Sequence, residues 1–221
     1  MKLILISNII SCVCALIGYI YASLKFFKPQ KAVFPQMIAL AVGCMAFGKL
    51  YQVVRLLTEG EIFGEFQLGV FGIIGSLLFF FSANFGSMDN LADDKSKALL
   101  KYRLIALAAP IAAAALYVLF IYLIDLPPLA KIIAAIITVL NMMAGYYHLK
   151  HLILPDVEHG VIRCLRTYNL LALVYGYLCM VEMIVLGTGN GVAILACGVL
   201  MGLLPIGIVI SVKRGMKKWT I

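Results

Sequence analysis

Seven apolar runs, each about long enough to cross a bilayer, limit what this chain can fold into. They cover roughly 3–23, 33–57, 66–85, 102–124, 129–150, 167–186 and 191–212. About 20 apolar residues in helical form span the hydrocarbon core, and a helix satisfies its own backbone hydrogen bonds there. The longest stretch between runs, about 86–101, is too short for a separate domain. The expected fold is therefore all-α: one integral membrane domain over 1–221, a bundle of seven transmembrane helices. Composition agrees, since 64% of the chain is hydrophobic and 13% charged, against about 25% charged in soluble domains.

A net charge of +8 would suit nucleic acid, but its distribution excludes that partner. Lys25, Lys28 and Lys31 lie in the first connection, and Lys95, Lys97, Lys101 and Arg103 in the third. Lys150, Arg163 and Arg166 flank the fifth, and Lys213, Arg214, Lys217 and Lys218 crowd the tail. The opposite side has Lys2 and Lys131 beside Glu59, Glu61, Glu65 and Asp125. This is the positive-inside pattern. It predicts a multi-pass plasma-membrane protein with its N-terminus outside and C-terminus cytoplasmic, the basic tail touching anionic lipid headgroups. The first run is too long for a signal-peptide core and reads as an uncleaved helix. Cys12, Cys14, Cys44, Cys179 and Cys197 fall inside runs, so no external disulfide is expected.

Within the second run, Lys49, Gln52 and Arg55 recur at i, i+3 and i+6 and share one helical face. Cations at membrane depth need a partner, a cavity or an interface. Arg55 is close enough to the outer end to snorkel, whereas Lys49 sits roughly 12 Å below that end. Glu182 is the one acid embedded in any run, in the outer half of the sixth, and Asn141 is an amide inside the fifth. Lys49, Gln52, Arg55, Glu182 and Asn141 are accordingly the candidate solute-binding residues.

Other clusters receive plainer readings. Asp89, Asp93 and Asp94 resemble the Asp-rich motif of CDP-alcohol phosphotransferases in composition, but the Asp-Gly and Ala-Arg pairs of that motif are missing. Asp93 or Asp94 is expected to cap the next helix. His148, Asp156, Glu158, His151 and His159 gather at and beyond the end of the fifth run and are the metal candidates. Their spacing matches no recognised zinc motif, so a solvated interface is expected. Gly69, Gly72 and Gly75 form a small-residue strip suited to close helix packing, as do Gly198 and Gly202. Pro110 should disturb the fourth helix.

A weak internal repeat relates 1–86 to 129–214, with 102–124 as linker helix. Gly18-Tyr19 falls opposite Gly145-Tyr146, Gly48 opposite Gly176, and Val54 or Arg55 opposite Glu182. A three-one-three plan of this kind is similar to that of the PQ-loop, SWEET and KDEL-receptor class of seven-helix proteins. SWEET-type carriers have prolines in four helices around the pocket; here the first and sixth runs have none.

Three functions fit. The first is a carrier for a small polar or anionic solute, with a pocket between the second and sixth helices and no cofactor. The second is a receptor or regulatory subunit acting through a cytoplasmic protein partner. The third is a membrane enzyme with a metal at the histidine cluster. Lipid, a small-molecule ligand and a second copy of the chain are the other expected partners.

Overall fold

The computed structural model describes residues 2–28, 32–60, 68–125, 127–156 and 160–219. Lys31, Glu61, Glu65, Glu158 and His159, named above, lie outside these ranges, as does the expected start of the third run at 66. The described residues form seven helices long and apolar enough to cross a membrane. They are α1 (Lys2–Phe26), α2 (Val33–Thr58), α3 (Gly69–Ala92), α4 (Lys97–Leu123), α5 (Pro128–Ile153), α6 (Val161–Thr188) and α7 (Gly191–Trp219).

The bundle interior mixes large apolar side chains such as Ile38, Leu77, Ile137 and Ile208 with small and polar ones, and α1 contributes the small and polar kind. On α1, Ser7, Asn8, Ser11, Ala15 and Gly18 are buried, while Ile6, Val13, Ile17 and Leu24 are exposed. Lipid is as apolar as leucine, so little is gained by hiding leucine; close backbone approach and interhelical hydrogen bonds hold the helices instead. Ser7 Oγ donates to the Ile194 carbonyl at 3.0 Å and Ser11 Oγ to that of Gly198 at 2.7 Å, joining α1 to α7. At Gly202 of the same strip, a Cβ would lie 3.3 Å from Ser11 Cα. The α2–α3 seam is tighter: a Cβ on Gly48 would sit 2.8 Å from Gly72 Cα, and one on Gly72 2.6 Å from the Cys44 carbonyl oxygen. The glycine strip of the third run is thus a packing surface.

Neighbour relations trace a ring. α1 packs on α2, α2 on α3, α3 on α5, α5 on α6, α6 on α7, and α7 returns to α1. α4 stands outside the ring against α5 and α6. Its helix is interrupted at Leu107, between Leu100–Ala106 and Ala108–Leu123. Pro110 has no N–H to donate to Ala106, which accounts for an irregularity at that point. Tyr177 Oη donates to the Ala109 carbonyl at 2.7 Å and ties α4 to α6.

Several helices outrun the apolar runs. α3 continues past the expected end at 85 through a π-helical turn, Ala83–Met88, and a last turn, Asp89–Ala92. The third connection therefore shrinks to 93–96. Apolarity marks the part of a helix that meets lipid; polar turns beyond it stay helical where they find partners in the bundle.

Candidate functional site

The polar face of α2 enters the ring at Lys49, which is 7% exposed, as is Glu182 on α6. Lys49 Nζ donates to Glu182 Oε1 at 2.6 Å. Beside the pair is a cavity of about 10 Å³, lined from α2 by Lys49, Gln52 and Gly48 and from other helices by Ser11, Tyr175 and Pro205. That is room for about one water. Gln52 Oε1 is buried with no hydrogen-bond partner among the described residues. Tyr175 closes the inner side: Ser76 Oγ donates to the Ile73 carbonyl at 2.8 Å and lies 3.1 Å from Tyr175 Oη, so the tyrosine donates there.

The remaining sequence candidates fall elsewhere. Arg55 Nε pairs with Glu59 Oε2 at 2.6 Å, one helical turn on, where Glu59 is mostly exposed. Asn141 is buried on α5 and its Nδ2 donates to Met180 Sδ at 3.1 Å. Gly176 must be glycine for this, because a Cβ there would overlap Asn141 Oδ1. Lys49, Gln52 and Glu182 are therefore brought together, and Arg55 and Asn141 are engaged apart from them.

The histidines correct the expectation of a solvated interface, for His148 and His151 are each 1% exposed. Asn84, four residues after Phe80 on the buried face of α3, reaches into the bundle, where its Nδ2 donates to Asn169 Oδ1 at 3.0 Å and lies 2.7 Å from His148 Nδ1. His148 Nδ1 is itself 3.0 Å from Asn169 Oδ1. His151 Nε2 instead meets Asp89 Oδ1 at 3.2 Å. The two imidazoles thus serve different partners. Asp156 Oδ1 accepts the Arg163 backbone N–H at 3.3 Å, and Glu158 and His159 lie outside the described residues. Among the described residues no group of three or more His, Cys, Asp and Glu side chains is placed to hold a metal ion.

A charged cluster seals this end of the bundle. Lys150, buried on α5, pairs with Asp89 and, at 3.2 Å, with Asp93 Oδ2. Arg103 grips Asp93 with two bonds, Nε to Oδ2 at 2.9 Å and Nη2 to Oδ1 at 3.0 Å. Burial pushes the Asp93 carboxyl up, but bonds from Arg103, the Lys95 backbone N–H and Lys150 outweigh it and hold the carboxyl below its ordinary range. Helix capping was expected of these aspartates. The N-cap position of the next helix is instead Ser96, and Asp93 and Asp94 accept loop N–H groups from Lys95 and Ser96, both at 2.9 Å.

Between the two polar regions lies an aromatic layer. Phe80, fully buried, meets Tyr175 at 5.9 Å, Tyr168 at 6.3 Å and His148 at 5.7 Å between ring centroids. Tyr168, Tyr175 and Glu182 are buried at seven-residue spacing on α6, a signal legible in the sequence once Glu182 is taken as inward-facing. Asn84 continues the buried face of α3 set by Ile73, Leu77 and Phe80, so its spacing of four from Phe80 was the signal the sequence carried for it.

No family model matches the chain, and no curated protein or solved structure matches it. Function must therefore be argued from the geometry alone.

Proposed function

We propose that this protein carries a small anionic or polar solute across the membrane, binding it at Lys49. The observation that supports this most directly is a buried lysine at 2.6 Å from its counter-ion, beside a cavity and a buried amide oxygen without a partner. A solute carboxylate or phosphate would replace Glu182 on Lys49, and Gln52 would complete its hydrogen bonds. The cavity holds about one water, so binding requires α2 and α6 to part. By the positive-inside pattern, the Lys49–Glu182 pair lies in the outward half and the Asp89–Asp93–Lys150–Arg103 cluster closes the cytoplasmic end. Phe80 would then separate the two sides of an alternating-access cycle.

The ring order supports the internal repeat. Exchanging α1, α2, α3 with α5, α6, α7 maps each neighbour relation of the ring onto another, and puts Lys49 and Glu182 on equivalent helices. This is the arrangement expected of parallel repeats about an axis along the membrane normal, with α4 as linker.

The test screens purified protein against a panel of small carboxylates and phosphates for saturable thermal stabilisation. The best ligand is then titrated into Lys49→Met and Glu182→Gln. Weakening by tenfold or more in Lys49→Met is expected. Unchanged binding in both folded single variants, or no saturable ligand for the wild type, would reject the pocket and leave the pair as a tie between two helices.

A further inference from the structure

A second concave site lies between the first turns of α6 and the last turns of α7, at the basic end of the bundle. Its volume is about 450 Å³, within the range of small-molecule sites. The shape follows from the sequence of α7. Gly207, Ser211 and Gly215 recur every four residues and line the groove, so this stripe has almost no side-chain bulk. At Gly215 the helices nearly touch, since a Cβ there would run into the Cys164 carbonyl.

Charge is graded along the groove. Arg163 is in the first turn of α6, and Arg214 and Lys218 are in the last two turns of α7; all three are exposed and line the site. No acid lines it, and among the described residues none of the three side chains forms an ion pair. The nearby Asp156 carboxylate accepts the Arg163 backbone N–H and not its guanidinium. Elsewhere the cations Lys49, Arg55, Arg103, Lys131 and Lys150 all have carboxylate partners. From Lys218 back to Gly207 is about 16 Å along the helix, and the deep end is apolar, beside exposed Ile210. Cations at the mouth and an apolar floor reaching into the membrane-spanning part match a molecule with a phosphate head and an acyl tail.

We propose that this groove binds the phosphate of an anionic phospholipid. The guanidinium groups of Arg163 and Arg214 would clamp the phosphate oxygens, Lys218 would add charge, and Thr167 a hydroxyl donor. Ser211 Oγ already donates to the Ile208 carbonyl at 2.7 Å, so its part is to be small. A lipid and free phosphate share this headgroup chemistry; the deep apolar end favours the lipid.

The test uses purified full-length protein and native mass spectrometry with phosphatidylglycerol or phosphatidylcholine added in equal amounts, with inorganic phosphate as a separate competitor. Phosphatidylglycerol should be retained preferentially. The double variant Arg214→Gln with Lys218→Gln should reduce its retention tenfold or more, leaving phosphatidylcholine unchanged. A control removing the same charge at the same end, Lys97→Gln with Lys101→Gln, should keep it. Equal retention of both lipids, or equal loss in both double variants, overturns the site. Saturable displacement of phosphatidylglycerol by millimolar inorganic phosphate overturns the lipid assignment in favour of a free anion.

Discussion

The Lys49–Glu182 pair should couple strongly in a double-mutant cycle. At 2.6 Å and an effective dielectric constant of about 20, the attraction is roughly 6 kcal/mol. Withdrawing two charges from water costs several kcal/mol each, so the pair as a whole adds little net stability. Removing one member is different, because the other is left buried and uncompensated. Lys49→Met and Glu182→Gln are each expected to destabilise the bundle by about 3–5 kcal/mol. Combining them removes both charges, and the loss should fall to about 1 kcal/mol. The coupling energy, the double loss less the two single losses, is then about 5–9 kcal/mol in magnitude, well above the roughly 0.6 kcal/mol typical of interhelical hydrogen bonds in membranes. Reversible unfolding in mixed detergent micelles, followed by circular dichroism, measures all four corners. Lys131→Ala serves as a comparison: its ion pair with Asp125 spans 3.8 Å between side chains 40% and 104% exposed, so that change should cost less than about 1 kcal/mol. Additive single effects of about 0.6 kcal/mol would show that Lys49 and Glu182 are hydrated separately, and the argument for a desolvated site would fall.

The α2–α3 seam predicts that Gly72→Ala destabilises by about 1–3 kcal/mol through overpacking, while Gly86→Ala, with nothing within 4 Å of the added methyl, leaves the unfolding midpoint unchanged. Asp93 has a folded-state pKa below its ordinary value of 3.8; its contribution is full above that value and lost as pH falls through the lower one. Thermal midpoints should drop below about pH 4, and Asp93→Asn, already less stable at neutral pH, should flatten that acid limb. Gln52→Leu removes an unpartnered buried amide oxygen and should be neutral or stabilising by about 1 kcal/mol, yet weaken any anion bound at Lys49 in calorimetric titration. Phe80→Ala should cost about 3–5 kcal/mol and raise passive solute or proton leak in liposomes above the wild-type level; an unchanged leak would remove Phe80 as the barrier.

The apolar runs made the seven helices legible because hydropathy is the property that lipid selects. Lys49 and Glu182 were legible for the same reason inverted: a charge inside such a run has few places to go, and the sequence holds one embedded acid. Arg55 and Asn141 carried the same kind of signal, yet Arg55 lies within reach of Glu59, and Asn141 is met by the backbone gap at Gly176. The charged cluster around Lys150 was hidden because its members lie at or beyond the ends of the apolar runs, where sequence cannot distinguish a solvated turn from one folded back onto the bundle. Asn84 was missed because it sits at the polar end of its run, where an amide facing the bundle and one facing the interface read alike; its spacing of four from buried Phe80 was the available signal.

The polar interior also says something that stability alone does not explain. A buried polar atom without a partner costs free energy, and most such atoms in proteins are satisfied. Here five atoms are buried without partners among the described residues: Ser23 Oγ on α1, Gln52 Oε1, Asn84 Oδ1, His148 Nε2 and Tyr168 Oη. The last four gather in one region. Gln52 lines the Lys49 cavity, while Tyr168 and His148 pack against Phe80 and Asn84 is bonded to the His148 cluster. A sequence optimised only to hold seven helices together would place leucine or alanine at such positions, since lipid-facing and helix-facing apolar residues are freely supplied elsewhere in the chain. Local rules tend to be broken where function requires it. Those four atoms lie on both sides of one aromatic layer, on α2, α3, α5 and α6, and that alignment supports the proposed solute path along the bundle axis, closed at Phe80.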